Sequence, residues 1–209
     1  MPAIGITGGI STGKSTFCRY LRELMPQASF FDADKAARAL TDNDSAVQDE
    51  IRQAFGEGVF SATGHLNRSQ IRVIILGSAA KRGALEQILH PRIRSQWGAE
   101  AQRYRNSSEF FFADIPLLYE TGGEKLCDRV AVVACSPEVQ LKRLLARGMN
   151  TRGPRLGAEE AAEMIKTQMP LEQKVQRADH VIWNNDGETV MAEQTRSLLD
   201  LWQKTWTAK

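Results

Sequence analysis

The sequence predicts an α/β fold in which a parallel β-sheet lies between two layers of helices. Two observations predict it. Short apolar segments alternate along the chain with longer segments whose apolar residues repeat at helical spacing. One of the short segments, residues 129–135, is apolar from Val130 onwards, which is typical of a strand covered on both faces. We therefore expect a three-layer α/β/α sandwich.

The composition limits the classes of protein to be considered. Of the 209 residues, 42% are hydrophobic and 25% charged, and the formal net charge is +2. These values fit a single globular domain and argue against nucleic acid or a membrane as the main partner. No apolar run reaches the roughly 18 residues of a membrane span, and the start of the chain has no signal-peptide layout. We expect a cytoplasmic protein, whose oligomeric state the composition leaves open.

Three cysteines have neither C-x-x-C spacing nor the spacing of a metal site. Cys18 falls on the apolar face of a predicted helix, and Cys135 ends the apolar strand. We expect both to be small core residues of a protein from a reducing compartment.

The most specific local pattern is a glycine-rich loop after the first predicted strand, residues 3–7. Residues 8–15 match G-x-x-x-x-G-K-[ST], and a helix with a clear apolar face follows, as this motif requires. In such a loop, glycines let backbone N–H groups approach phosphates, Lys14 adds a cation, and Ser15 can bind Mg²⁺. We assign the phosphates of a nucleotide to Gly8, Gly9, Ser11, Thr12, Gly13, Lys14, Ser15 and Thr16. The alternative is a glycine turn with no ligand.

Two carboxylates, Asp32 and Asp34, follow the second predicted strand, residues 28–31, and adjoin a helix predicted for residues 35–40. A strand that continued through Asp34 would point both carboxylates to one side, at the sheet edge where open α/β sheets bind ligands. One carboxylate could then accept a proton from an attacking hydroxyl while the other helps to hold the water shell of a metal ion. Capping of the helix is the alternative for either residue.

The apolar spacing of residues 45–105 predicts a helical insertion, large enough to make one wall of a pocket for a second substrate. Asn67 or Ser69 could cap a helix there. His90 is predicted to end a helix directly before Pro91, where capping is the commoner role of a histidine. His65 and His180 are expected to be solvated.

A segment that begins at Glu109 has an apolar run over residues 110–113 and ends in Asp114. This is the form of the second acidic motif of phosphate-loop proteins, whose carboxylate approaches Mg²⁺ or its waters; an ordinary buried strand is the alternative. Further on, Arg143 and Arg147 lie at i and i+4 of a predicted helix. The basic, glycine-bearing segment that follows, with Arg152 and Arg155, predicts a lid over residues 143–159. The last strand is predicted at residues 180–183, and a C-terminal helix follows it.

The whole pattern resembles the dephospho-CoA kinase family. The resemblance rests on the phosphate loop together with blocks that are far more specific when they occur in this order. These blocks are Asp32-Ala33-Asp34, Leu89-His90-Pro91, Asp114-Ile115-Pro116-Leu117-Leu118-Tyr119-Glu120, Arg143-Leu144-Leu145-Ala146-Arg147 and Gln168-Met169-Pro170-Leu171-Glu172-Gln173-Lys174. Ser11-Thr12 stands where the family usually has Gly-Ser.

This resemblance implies transfer of the ATP γ-phosphate to the ribose 3′-hydroxyl of dephospho-coenzyme A, the last step of coenzyme A biosynthesis. It implies one phosphate-loop kinase domain over residues 1–209, with a core of about 1–44, 106–142 and 160–209, the insertion 45–105 and the lid 143–159. Asp34 resembles the residue that accepts the hydroxyl proton, with Asp32 beside it. The expected catalytic groups are Asp34, Lys14, Asp32, Arg143 and Arg147; the acceptor would contact Asp34, Arg68, His90, Pro116 and Leu117; Mg²⁺ would contact Ser15 and Asp114; and Arg143 and Arg147 would also contact ATP.

Three other functions stay open at this point. A nucleoside or nucleoside-monophosphate kinase could have the same core, although a small acceptor would not fill the helical wall. A nucleotide-dependent switch is a second alternative, but the sequence has no Asn-Lys-x-Asp motif for reading guanine. The third is a nucleotide-sensing or CoA-binding module without turnover.

Overall fold

Within the residues that the computed structural model describes, 2–105, 107–149 and 157–207, five strands form one sheet. They are β1 (Ala3–Gly8), β2 (Ser29–Asp32), β3 (Phe111–Asp114), β4 (Arg129–Ala134) and β5 (His180–Trp183). The order is β2-β3-β1-β4-β5, and β1 pairs in parallel with both β3 and β4, as β4 does with β5. The chain runs from β1 to one side of the sheet and later to the other, so the loop after β1 lies at a topological switch point.

In the described residues every strand is preceded or followed by a helix, which confirms the predicted fold class. They are α1 (Lys14–Leu24), α2 (Ala33–Asn43), α3 (Ser45–Phe55), α4 (Arg68–Gly77), α5 (Ala79–Tyr104), α6 (Pro137–Met149), α7 (Ala158–Lys166), α8 (Leu171–Arg177) and α9 (Glu188–Thr207). None of the described helices is both long and apolar enough to span a membrane.

The chain divides into two compact units, and the first, Met1–Phe31 with Ala101–Lys209, contains β1 and β3–β5. Alternate residues of β1, such as Ile4 and Ile6, are fully buried in a core shared with Phe17 of α1 and Trp202 of α9. Removing side chains of this size from water contributes about 1.5–3 kcal/mol each, so this face of the sheet is a main source of stability. Cys18 and Cys135 are buried, as expected from their positions.

The second unit, Asp32–Glu100, is helical, as the apolar spacing predicted. Val47 and Ile51 of α3 and Trp97 of α5 are among its buried residues. Asn67 caps α4, because its side-chain oxygen accepts a hydrogen bond from the N–H of Gln70 at 3.2 Å.

The expected end of a helix at His90 is wrong, because α5 runs from Ala79 to Tyr104 with Pro91 inside it. Proline removes one backbone donor from a helix, but neighbouring contacts can offset the loss. Here Arg92 donates to the carbonyl oxygen of Ile88 at 2.7 Å and forms an ion pair of 2.6 Å with Glu50 of α3. These contacts tie the turn after Pro91 to the preceding turn and to a second helix.

Candidate active site

The loop between β1 and α1 has a backbone that requires glycine at two positions. A Cβ atom added to Gly8 would lie 2.5 Å from the carbonyl oxygen of Val133, a backbone atom of β4 that cannot move aside. Gly13 has a φ of 99°, in the left-handed region, and caps the start of α1. Helix α1 begins at Lys14, so its N-terminus lies at this loop. The N-terminus of a helix attracts anions.

Lys14 and Asp114 form an ion pair beside the loop. Lys14 is the first residue of α1, and Asp114 is the last residue of β3, the neighbour of β1 in the sheet. Their side chains are only 14% and 10% exposed. The structure thus brings together the two charged residues that the sequence assigned to the phosphates and to the metal ion.

Three buried side chains that the sequence did not assign to the site donate hydrogen bonds to backbone carbonyl groups of the loop. Lys174 Nζ donates to the carbonyl oxygen of Gly8 at 3.3 Å, Gln140 Nε2 to that of Ile10 at 2.9 Å, and Asn184 Nδ2 to that of Thr12 at 2.8 Å. They come from α8, from α6 and from the residue after β5. Sequence position gives no signal for them, since their partners are carbonyl groups that every residue carries.

Lys174 is completely buried and forms an ion pair of 2.9 Å with Glu120. Its ammonium group also donates to the carbonyl oxygen of Pro116 at 3.1 Å. Burial lowers the pKa of Lys174, because it penalises the charged form, while the hydrogen bond and the charge of Glu120 act in the opposite direction. Both residues stood in blocks that carried the resemblance, but neither had been given a role.

Arg143 is connected to the loop through Asn184. Its guanidinium group, on α6, donates to the backbone oxygen of Asn184 at 2.8 Å. Arg147 lies one turn further along α6 and is exposed. Residues 143–149 of the predicted lid belong to α6 and 158–159 to α7, whereas Arg152 and Arg155 lie outside the described residues.

The expectation that a strand might continue through Asp34 is wrong, since β2 ends at Asp32 and α2 begins at Ala33. Asp32 is the N-cap of α2, and its Oδ1 accepts a hydrogen bond from the N–H of Lys35 at 3.0 Å. Asp34 lies in the first turn of α2 and is exposed. The strand cannot continue because Asp32 satisfies a backbone donor of the helix start.

The other residues that the sequence assigned to the acceptor belong to two different units of the chain. Arg68, in the second unit, contacts both carboxylate oxygens of Asp42 at 2.7 Å, and His90 is half-buried within α5. In the first unit, Pro116 and Leu117 lie in the turn after β3, where the hydroxyl of Thr7 donates to the carbonyl oxygen of Pro116 at 2.9 Å. This turn is therefore fixed to β1, directly before the phosphate loop.

Comparison with known proteins identifies the family of this chain. The sequence model of one family, described as dephospho-CoA kinase, matches residues 2–190. The chain belongs to the dephospho-CoA kinase family. A dephospho-CoA kinase of Bacillus cereus is 38% identical over 204 residues, with 97% of this chain and 96% of the relative covered. One from Carboxydothermus hydrogenoformans is 35% identical over 211 residues, with coverage of 100% and 98%.

Solved structures agree as well. The crystal structure of TT1252 from Thermus thermophilus has a TM-score of 0.73 and 30% identity, with 97% of this chain and 96% of that one covered. Dephospho-CoA kinase from Campylobacter jejuni has a TM-score of 0.70 at 24% identity, with coverage of 97% and 98%, and shows the shared fold. The resemblance to the dephospho-CoA kinase family drawn from the sequence is therefore confirmed, and the range matched to the family contains every residue assigned to the site.

Asp114 and Ser15 are of the kind that Mg²⁺ uses in proteins. The described residues contain no cluster of three or more His, Cys, Asp or Glu side chains able to hold a metal. Mg²⁺ usually takes one or two carboxylate or hydroxyl oxygens and completes its shell with waters and substrate phosphates. Asp114, at the end of β3, and Ser15, exposed in the first turn of α1, offer oxygen ligands of this kind.

Proposed function

We propose that this chain is an ATP-dependent kinase that transfers the γ-phosphate of ATP to the ribose 3′-hydroxyl of dephospho-coenzyme A. The product is coenzyme A, and the reaction is the final step of its biosynthesis. The observation that carries the proposal is the loop from Gly8 to Ser15 with Lys14 paired to Asp114, in a chain of the dephospho-CoA kinase family. The loop supports a nucleotide as the phosphate donor, and the family supports ATP as that nucleotide and dephospho-coenzyme A as the acceptor.

The donor half of the reaction uses the loop and the start of α1. Backbone N–H groups of the loop, such as those of Gly9, Ser11 and Gly13, bind the phosphates, and Lys14 neutralises charge at the β- and γ-phosphates. Ser11 supports a ligand here, because its Oγ is buried without a hydrogen-bond partner in the described part of the chain. A phosphate oxygen would be its acceptor. Arg143 and Arg147 add positive charge for the transferred group, as arginines do in other phosphoryl transfers.

Asp114 and Ser15 would hold Mg²⁺, which supplies further neutralisation of the phosphate charge when it is bound. Lys14 would still neutralise phosphate charge when Mg²⁺ is bound. In this arrangement most of the rate enhancement comes from positioning and from electrostatic stabilisation, since phosphoryl transfer needs little covalent chemistry from the protein.

In the acceptor half, Asp34 takes the proton of the ribose 3′-hydroxyl as its oxygen attacks the γ-phosphorus. The bond from that phosphorus to the β–γ bridging oxygen breaks, and ADP leaves with the electron pair. Asp32, the N-cap of α2, would help to hold the water shell of Mg²⁺. Arg68, His90, Pro116 and Leu117 bind the acceptor.

A coupled assay of ADP release tests the proposal, with ATP and Mg²⁺ as donor and dephospho-coenzyme A, AMP, CMP or water as acceptor. Fast release with dephospho-coenzyme A alone, and a product phosphorylated at the ribose 3′-position, is the expected result. Faster release with AMP or CMP would assign the chain to the monophosphate kinases. ATP binding that no acceptor converts into turnover would favour a switch or a sensor.

A further inference from the structure

Side chains from other parts of the fold bind every second carbonyl group of the phosphate loop. Carbonyl oxygens of Gly8, Ile10 and Thr12 each accept a hydrogen bond from a side chain, and these are the bonds from Lys174, Gln140 and Asn184. The intervening amides have other partners. Ile10 N–H donates to Gln168 Oε1 at 3.0 Å, and Thr12 N–H donates to the carbonyl oxygen of Gly9 at 3.3 Å.

This alternation determines where the remaining amides point. The described peptide bonds are all trans, and in a trans peptide the carbonyl and the following N–H point in opposite directions. The N–H groups of Gly9, Ser11 and Gly13 therefore each point away from the buried donor that holds the carbonyl oxygen of the same peptide. Backbone amides that a glycine-rich loop turns away from its protein partners can bind an anion.

The donors are buried to a degree that needs an explanation. Lys174, Gln140 and Asn184 are 0%, 5% and 7% exposed. Other buried polar residues belong to the loop or to the strands beside it, namely Thr12 in the loop, Thr7 in β1 and Asp114 in β3. Burying polar groups costs free energy unless they form hydrogen bonds. The hydrogen bonds of Lys174, Gln140 and Asn184 to the loop carbonyls offset this cost. Lys174 also joins the loop to the turn after β3 through Pro116 and Glu120.

We propose that Lys174, Gln140 and Asn184 are positioning residues that preset the phosphate loop for the β- and γ-phosphates of the nucleotide. They act through the backbone and do not touch the ligand. The proposal rests on the proposed function only in that the loop binds ATP. It would hold for any nucleotide kinase, whatever the acceptor.

The test uses Gln140→Met and Lys174→Met, which keep an unbranched side chain of similar length and remove the donor. Gln48→Met is the matched control for the first, because Gln48 Nε2 also donates to backbone carbonyls, those of Thr41 and Asp42 at 3.1 and 3.0 Å. Lys166→Met controls the second, since Lys166 is an exposed lysine paired with Glu163 at 2.7 Å. Calorimetry measures the Kd of ADP and of adenosine for each variant, and steady-state assays measure both KM values.

We expect each test variant to weaken ADP binding by about three- to tenfold, the size of one buried hydrogen bond, and to raise the KM of ATP to a similar extent. Adenosine binding and the KM of dephospho-coenzyme A should change less than about twofold, as should all constants of the two controls. Equal losses for ADP and adenosine would indicate general damage and overturn the proposal. Unchanged ADP binding would overturn it as well.

Lys174→Met leaves Glu120 without its cation, so the double variant Lys174→Met with Glu120→Gln is measured beside it. If neither Lys174 variant folds, Gln140→Met decides the proposal, because it changes no charge. If the proposed function failed, the wild-type protein would not convert dephospho-coenzyme A. The variants would still change the Kd of ADP more than that of adenosine, so the two failures can be distinguished.

Discussion

In the proposed mechanism the chemical step depends on Asp34, whose local structure differs from that of Asp32. The carboxylate of Asp32 already accepts the N–H of Lys35 as the cap of α2, whereas Asp34 is exposed in the first turn. An exposed carboxylate at that position can reach a hydroxyl without giving up a structural hydrogen bond. This difference favours Asp34 as the base.

Asp34→Asn should lower kcat by about 10²- to 10⁴-fold, the usual contribution of a general base. The Kd of ADP should stay within about twofold, since no donor-side contact is removed. Stopped assays of ADP formation and calorimetric titration measure the two quantities. Asp200→Asn, on an exposed position of α9, is the matched control. Turnover near the wild-type rate would remove Asp34 from the mechanism.

At the scale of residues, the sequence predicted the loop because glycine, lysine and serine at fixed spacing carry the chemistry in their identities. Gly8 and Gly13 proved to be required by a close approach and by a positive φ. Lys174, Gln140 and Asn184 could not be assigned this way. They are distant in the chain, and their partners are backbone oxygens whose direction only the folded loop defines.

At the scale of elements, the periodic pattern predicted the type of each segment better than its ends. Helix α5 continues past Pro91 because tertiary contacts of Arg92 offset the missing donor, and no local rule shows those contacts. Helix α2 begins at Ala33, earlier than predicted, since Asp32 caps it. Boundaries depend on single capping and packing contacts, whereas the type of an element depends on many residues at once.

Strand β5 has the predicted bounds, but its first residue, His180, is half-buried and not solvated as expected. Its ring lies 5.6 Å from that of Trp202 in an edge-to-face arrangement. Burial lowers the pKa of His180 and is the largest effect; the charge of Asp179 raises the pKa and that of Arg129 lowers it. Below the ordinary pKa of a histidine, the unfolded chain therefore takes up a proton more readily than the folded one. Stability from this residue is complete above about pH 6.5 and is lost as the pH falls.

We therefore expect the wild-type protein to lose stability relative to His180→Phe between pH 7.5 and pH 5.5. Phenylalanine keeps the packing against Trp202 but does not titrate. The relative loss should be on the order of a few tenths of a kcal/mol, because solvent screens a partly exposed group. Guanidinium unfolding of both proteins at the two pH values measures it, and His65→Phe, at an exposed histidine, serves as the control. A constant difference between wild type and His180→Phe would contradict the prediction.

At the scale of the whole molecule, the alternation of strands and helices predicted a parallel sheet but not the order of its strands. The order β2-β3-β1-β4-β5 requires β3 to lie between β1 and β2, although it follows them in sequence after the long helical unit. Patterns of apolar residues specify which segments are strands. The position of each strand depends on crossovers between elements that the pattern does not contain.

The cysteines give a measure of how the first unit unfolds, since all three belong to it. Burial raises the pKa of Cys18 and of Cys135, and it raises that of Cys127 to about 12. At pH 8 only about one Cys127 in ten thousand would then be the reactive thiolate. We expect iodoacetamide to leave the native protein unmodified under conditions that alkylate all three cysteines in denaturant.

Mass spectrometry of alkylated protein measures this, and the position of the label distinguishes local opening from global unfolding. If the unit opens as a whole, Cys18 in α1 and Cys135 after β4 should be labelled at the same rate, and saturating ATP should slow both. Cys127→Ser removes the half-buried thiol and should leave the other two rates unchanged. Rapid labelling of Cys18 alone, unaffected by ATP, would instead mean that α1 separates from the sheet by itself. Such a motion would contradict a phosphate loop whose carbonyl groups are held by buried side chains.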